Sequence, residues 1–169
     1  MLGILNRLRF IACEQGLDEM HRFKAIFIVL MTGMVLLTGT FAWSGEDSLR
    51  KAKELNPKVI QLYQQGRYAE AVPYAEIILT IHEEALGPEH PNTATALNNL
   101  ANLYQTTGVY DKAELLYQRS LAIREKARGP DHPGVATSLN NRALLYDSLG
   151  DYARAEPLYK RSLAIREKA

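Results

Sequence analysis

GVYDKAELLYQRSLAIREKA, residues 108–127, returns as GDYARAEPLYKRSLAIREKA, residues 150–169. Fifteen of the twenty positions agree, at an offset of 42 residues. The offset holds upstream. Gly87-Pro88-Glu89-His90-Pro91 recurs as Gly129-Pro130-Asp131-His132-Pro133, and Thr95-Ala96-Leu97-Asn98-Asn99 as Thr137-Ser138-Leu139-Asn140-Asn141. Gly66-Arg67-Tyr68 and Ala71 precede Gly108-Val109-Tyr110 and Ala113 by the same step. Three copies are present. The first is more diverged and reads as one residue shorter in its first helix. A fixed period of this length is the mark of a repeat architecture rather than of a single globule.

Each copy reads as two helices. Ala94, Leu97, Ala101 and Tyr104 are spaced 3, 4 and 3, which places them on one helical face. Pro91 suits a first helical turn, where its missing N–H is not needed. Gly108 supplies the stop, because a residue free to take positive φ is wanted there. The second helix starts near Tyr110 and carries Ala113, Leu116, Tyr117, Ser120, Leu121 and Arg124 at helical spacing. It ends at Arg128-Gly129-Pro130. In copy one, Asn56-Pro57 reads as a cap and first turn, and Gly66 as the stop. Ala101 and Ala113 are small where the two helices would cross closely. Such a hairpin cannot bury its apolar face alone, and about three stacked copies approach the minimum for stability.

This pattern resembles the tetratricopeptide repeat. Leu97, Leu100, Ala101 and Tyr104 match its first helix, and Gly108, Tyr110, Ala113, Tyr117 and Ser120 match its turn and second helix. The 42-residue period, the Gly-Pro-x-His-Pro linkers, Leu-Asn-Asn and Leu-Ala-Ile-Arg-Glu-Lys resemble the kinesin-light-chain-like subfamily. Arg142 departs from the pattern, standing where copy two has Leu100; Ala75 and Ile78 stand in copy one for Tyr117 and Ser120. The expected fold is all-α, a solenoid of three helical hairpins over residues 48–169, with repeats at about 48–89, 90–131 and 132–169.

A different kind of segment precedes the array. Residues 25–43, AIFIVLMTGMVLLTGTFAW, carry no charge; Arg22 and Lys24 stand before them, Glu46 and Asp47 after. A basic flank, an apolar run and small residues are the marks of an export signal, with Thr-Phe-Ala at 40–42 a fitting cleavage site. Nineteen residues at ~1.5 Å rise also give ~28 Å, nearly the ~30 Å hydrocarbon core, so an uncleaved anchor is the rival and a buried core helix the third reading. Both leading readings place the repeats outside the cytoplasm, because the positive flank stays inside. The expectation is an exported, periplasmic or envelope protein of a bacterium, or one anchored in the inner membrane through residues 25–43. Met20 also reads as a complete signal start, so Met1 and Met20 both remain candidate starts. Cys13, the one cysteine, has no placement of a lipoprotein acceptor and excludes an internal disulfide.

Charge excludes some functions. The chain has 20 Lys+Arg and 19 Asp+Glu; residues 1–42 hold four and three of them, leaving 16 and 16 for the rest. Bulk steering toward nucleic acid or anionic lipid is therefore not expected. No catalytic constellation is present either. His90 and His132 repeat before prolines, which speaks for helix capping and not for a metal or a general base. His82 lacks an H-E-x-x-H setting, the Gly-Pro pairs are turns without a phosphate loop, and Ser120 and Ser162 are small packing positions. The expectation is no enzyme, no cofactor and no metal.

The polar signal lies one residue off the buried stripe. Asn98, Asn102 and Gln105 in copy two, Asn140, Leu144 and Asp147 in copy three, and Gln61 and Gln64 in copy one fall on one edge of the first helices. The resemblance implies that this edge lines a concave surface. Primary amides both donate and accept, so a row of them can engage the backbone of an extended peptide. Asn98 and Asn140 stand where the carboxylate-clamp form of the family has a lysine, which argues against a chaperone C-terminus as ligand. Arg142 is the one cation near the groove, available to an acidic peptide residue or to Asp147. Asn99 and Asn141 point further round, toward adjacent helices. The runs Arg124-Glu125-Lys126 and Arg166-Glu167-Lys168, with Glu114 and Glu156, read as solvated surface charge.

The expected function is thus a non-catalytic scaffold binding a protein or an extended peptide. The alternative is an assembly module that self-associates through its C-terminal repeat, or a piece of a longer array. Membrane contact is expected only through residues 25–43.

Overall fold

A computed structural model describes residues 45–168. The apolar run 25–43, its signal and anchor readings, and Cys13 lie outside the described residues. Among the described residues there is no strand, and no helix is long and apolar enough to cross a membrane. Six helices follow one another: α1 (45–64), α2 (Tyr68–Leu86), α3 (Pro91–Thr106), α4 (Tyr110–Arg128), α5 (Pro133–Ser148) and α6 (Tyr152–Lys168). They form three antiparallel hairpins in which each second helix also packs on the first helix of the next copy.

The local signals explain the boundaries. His90 and His132 are N-caps. Nδ1 of His90 accepts from the Asn92 N–H at 3.1 Å, and Nδ1 of His132 from the Gly134 N–H at 2.9 Å, each before a proline in the first turn. At the hairpin turn, Gly108 has φ +78°, a conformation in which a Cβ would be strained, and Val109 N–H then reaches back to the Tyr104 carbonyl at 2.8 Å. Gly66 and Gly150 take the same conformation one copy to either side.

Asn56-Pro57 does not start a helix. α1 runs unbroken from residue 45 through Pro57. Pro57 donates no hydrogen bond, but it and Lys53, whose carbonyl loses that donor, are both exposed, so water can serve the carbonyl. Burial of Ala52 and Leu62 on either side holds the helix together. The continuous α1 also removes the one-residue deletion expected in copy one. Ala52, Ala94 and Ala136 are all buried at the constant step of 42, as are Leu62, Tyr104 and Tyr146.

The core runs along the stack as several clusters, one of which spans all three copies. Leu62, Ala71 and Ala75 of copy one, Ala101, Leu103, Tyr104, Ala113 and Tyr117 of copy two, and Leu145 of copy three form one cluster. Leu121, Val135, Leu139 and Ile165 form a second. Ala101 and Ala113 are wholly buried, as their small size at the α3–α4 crossing predicts. Polar staples repeat at the same period. Ser120 Oγ donates to the Ala94 carbonyl at 2.7 Å, and Ser162 Oγ to the Ala136 carbonyl at 2.8 Å. Arg119 pairs with Glu83, and Arg161 with Glu125 at 2.6 Å, tying successive second helices.

Of the charged residues read as solvated, Lys126, Glu156, Arg166, Glu167 and Lys168 are exposed, whereas Arg124, Glu125 and Glu114 are partly covered. Arg124 is half-buried, donates to the Gly134 carbonyl at 2.9 Å and to Ser138 Oγ at 3.1 Å, and burial lowers its pKa. Glu125 accepts from Arg161, and Glu114 accepts from the Tyr146 hydroxyl. A helical wheel places these residues outward within their own copy; the next copy then covers them.

Candidate functional site

The constant 42-residue register decides which side chains share the candidate edge. Asn102 of α3 corresponds to Ile60 of α1 and Leu144 of α5; Gln105 corresponds to Tyr63 and Asp147. Ile60 is 55 % exposed, Tyr63 46 % and Leu144 43 %, although all three are large and apolar or aromatic. At these two positions the edge is therefore an amide centre with Ile60 and Tyr63 at one end and Leu144 beside the exposed carboxylate Asp147 at the other, rather than a row of amides.

Tyr117 of α4 builds that centre. The residue is wholly buried, with its hydroxyl in contact with Asn102 Oδ1 and 2.9 Å from Gln105 Oε1. Burial pushes this phenol well above the usual tyrosine range, so it stays a proton donor. With its oxygen engaged, the Asn102 amide is fixed in orientation, and its Nδ2 makes no hydrogen bond among the described residues. Gln105 Nε2 donates to Ser148 Oγ at 3.3 Å, which ties α3 to α5 at the same edge. In copy three, Tyr159 occupies the register of Tyr117 beside Asp147; its pKa is raised by burial and then by that carboxylate. In copy one, Ala75 leaves no such anchor.

Not every residue expected at the edge faces it freely. Asn98 is only 5 % exposed, and its Oδ1 accepts from Asn141 Nδ2 at 3.1 Å. It joins copies two and three, the tie that the sequence suggested for Asn141. Arg142 is not a groove cation. It lies at the position of buried Leu100, donates to the Tyr146 hydroxyl at 3.0 Å and stands 3.8 Å from Glu114, away from Asp147. A substitution of Leu by Arg at a core position draws the guanidinium to the nearest carboxylate, and that carboxylate is on α4. Gln61 is exposed at the register that Leu103 and Leu145 fill with buried side chains, so it lies on the face where one copy meets its predecessor. Gln64 is exposed at the register of Thr106 and Ser148, next to the edge. Asn140 is half-buried and lines a pocket of about 300 Å³ with Tyr159, Leu163 and Arg166. Ile60 and Tyr63 were missed by the sequence reading. The unbroken 42-residue offset from Gly66 is the signal that finds them.

Among the described residues, no group of three His, Cys, Asp or Glu is placed to hold a metal ion. The arrangement presents hydrogen-bond donors of fixed direction between apolar surfaces.

Comparison with known proteins agrees with this architecture. The tetratricopeptide repeat family model matches residues 55–126 and 108–168. The chain belongs to the tetratricopeptide repeat family. Its repeats are of the kinesin-light-chain-like kind. BtubC (BKLC) from P. vanneervenii is similar at 29 % identity and a TM-score of 0.65, over 70 % of this chain and 46 % of that one. A kinesin-light-chain protein of nearly identical TPR-like repeats from P. anserina is similar at 28 % identity and a TM-score of 0.63, over 69 % of this chain and 55 % of that one. The chain thus spans about half the length of these two. The TPR domain of Arabidopsis FLU shares the fold at 19 % identity and a TM-score of 0.64, over 72 % of this chain and 99 % of that one. No curated protein matches the sequence.

Proposed function

We propose that this tetratricopeptide repeat chain is a non-catalytic scaffold that binds an extended segment of another protein along the edge of α1, α3 and α5. The observation that carries the reading is the pair of amide oxygens that share the one proton of the buried Tyr117 hydroxyl, with Asn102 Nδ2 making no hydrogen bond among the described residues. A donor already oriented loses little freedom when a peptide carbonyl arrives. Ile60 and Tyr63 on one side and Leu144 on the other offer apolar contact at the ends of the same edge. With neighbouring packed helices ~10 Å apart, Ile60 and Leu144 stand on the order of 20 Å apart. About six residues of extended chain span that length. The ligand class is a peptide with two apolar side chains about six residues apart and no required charge between them.

The test is selection of 12-residue peptides from a random displayed library on the full chain in mild detergent. Selected peptides should carry that apolar spacing, and Asn102→Ala with Gln105→Ala should weaken them roughly tenfold or more. Equal binding by wild type and variant would sink the reading.

Residues 25–43 support meeting this peptide outside the cytoplasm, by export or by tethering. Fractionation with N-terminal sequencing of the native protein checks it. The expected result is envelope or exported material; an intact, soluble cytoplasmic form would contradict it.

A further inference from the structure

A second cavity lies on the opposite side of α3 from Asn102. Its volume is about 410 Å³, and its walls include Glu76 and Leu79 of α2, Leu100 and Tyr104 of α3, and Lys112 and Leu116 of α4. One copy later, the same register reads Gln118, Leu121, Arg142, Tyr146, Arg154 and Leu158, and the carboxylate there is Glu114, one helical turn earlier at the register of Val72. The two places can be compared group by group.

At Tyr146 the arrangement is complete. The Tyr146 hydroxyl donates to Glu114 and accepts from Arg142 at 3.0 Å. Arg154 lies 4.3 Å and Arg142 5.5 Å from the ring centroid. Each guanidinium is also 3.8 Å from a Glu114 oxygen. One tyrosine and one carboxylate thus hold two cations, which stacking on the ring and ion pairing both favour.

At Tyr104 the second cation is missing, and the carboxylate, Glu76, stands one helical turn further along α2 than Glu114 does along α4. The Tyr104 hydroxyl donates to Glu76 at 2.5 Å, and Lys112 Nζ lies 5.0 Å from the Tyr104 ring, matching Arg154. The place of Arg142 is taken by Leu100. Glu76 forms no ion pair among the described residues. The apolar walls, Leu79, Leu100 and Leu116, would cover an aliphatic stem, while the carboxylate and the hydroxyl oxygen stand ready for a guanidinium. Leu115 at the rim is 67 % exposed, an apolar surface for a residue beside that guanidinium.

We propose that this cavity is a second docking site, which takes an arginine side chain presented by a partner protein with an apolar residue next to it. The chain's own Arg142, held by the Tyr146 hydroxyl and Glu114, shows one copy further on that a tyrosine and a carboxylate from the preceding helix can hold a guanidinium. Lys112 does not bar the cation, because Arg154 and Arg142 share Tyr146 and Glu114 in the same way.

The experiment is methyl NMR of the full chain in detergent micelles, titrated with the blocked dipeptide acetyl-Leu-Arg-methylamide. The control is the same dipeptide with citrulline, which has the shape of arginine without its charge, and free arginine is a separate arm. Saturable shifts of the Leu79, Leu100 and Leu116 methyls are expected with the arginine dipeptide. Glu76→Gln should weaken it about tenfold or more, through loss of the charged acceptor. Leu100→Arg should fill the cavity from within and abolish the remaining shifts in a chain that melts cooperatively. Equal shifts with citrulline, no loss in Glu76→Gln, or no shifts at all would overturn the proposal. Free arginine binding as tightly as the dipeptide would overturn a protein segment as the source.

Discussion

Tyr104 shows how much one side chain does in this stack. Its ring is buried, Lys112 lies over one face, and its hydroxyl donates to Glu76. Burial first, and the Glu76 carboxylate second, push its pKa up to about 12. An unfolded tyrosine ionises near ~10. Between those values the folded chain keeps a proton that the unfolded chain has lost, so stability falls as pH rises through this window. Below pH ~10 the contribution is fully present. Tyr117 and Tyr146 are raised as well and act in the same direction. The melting temperature should therefore drop between pH 10 and pH 12, and Tyr104→Phe should drop less over the same range. Equal slopes in the two proteins would show that Tyr104 carries none of the effect.

At the same scale, the errors of the sequence reading are informative. The wheel gave Asn98 the right angle but could not show Asn141 of the next copy reaching it. Arg142 looked like a groove cation because it is charged, yet its position in the repeat is that of buried Leu100. Tyr117 was legible only as packing, since the direction of a hydroxyl depends on the helix facing it. What sequence lacks here is the identity of the neighbour on another helix, within the copy for Tyr117 and across a copy boundary for Asn98 with Asn141 and Arg142 with Glu114.

At the scale of elements, copy two was almost wholly legible. Its helices begin at Pro91 and Tyr110, as their caps and spacing indicated. The linker histidines fell where repetition before proline placed them, on the first free N–H groups. Copy one was not. Asn56-Pro57 has the composition of a helix start, but a local start signal is weak against burial on both sides of it. Ala52 and Leu62 are nearly inaccessible, and α1 passes through the proline. That single element changed the site, because a continuous α1 keeps the register and turns Ile60 and Tyr63, not Gln61, into the neighbours of Asn102. The first helices thus offer apolar and amide groups in turn along the stack. The second helices carry the arginine and serine staples that keep this spacing.

For the molecule as a whole, the described residues form a quasi-linear stack whose contacts repeat with the sequence. Leu163 marks the periodicity from the other side. It is 58 % exposed, where Leu121 of the preceding copy is 7 % exposed beneath α5. Ties such as Gln105 to Ser148 and Asn141 to Asn98 join successive copies along the proposed binding edge. The balance of 16 basic and 16 acidic residues beyond position 42 fits recognition by directed hydrogen bonds and apolar contact rather than by a bulk field. The most direct measurement is NMR of the full chain with a library-selected peptide, read at the Asn102 and Gln105 side-chain amides and the Ile60 and Leu144 methyls. The account predicts that these signals shift together and saturate at one peptide per chain. Saturable binding that leaves all four unmoved would contradict it.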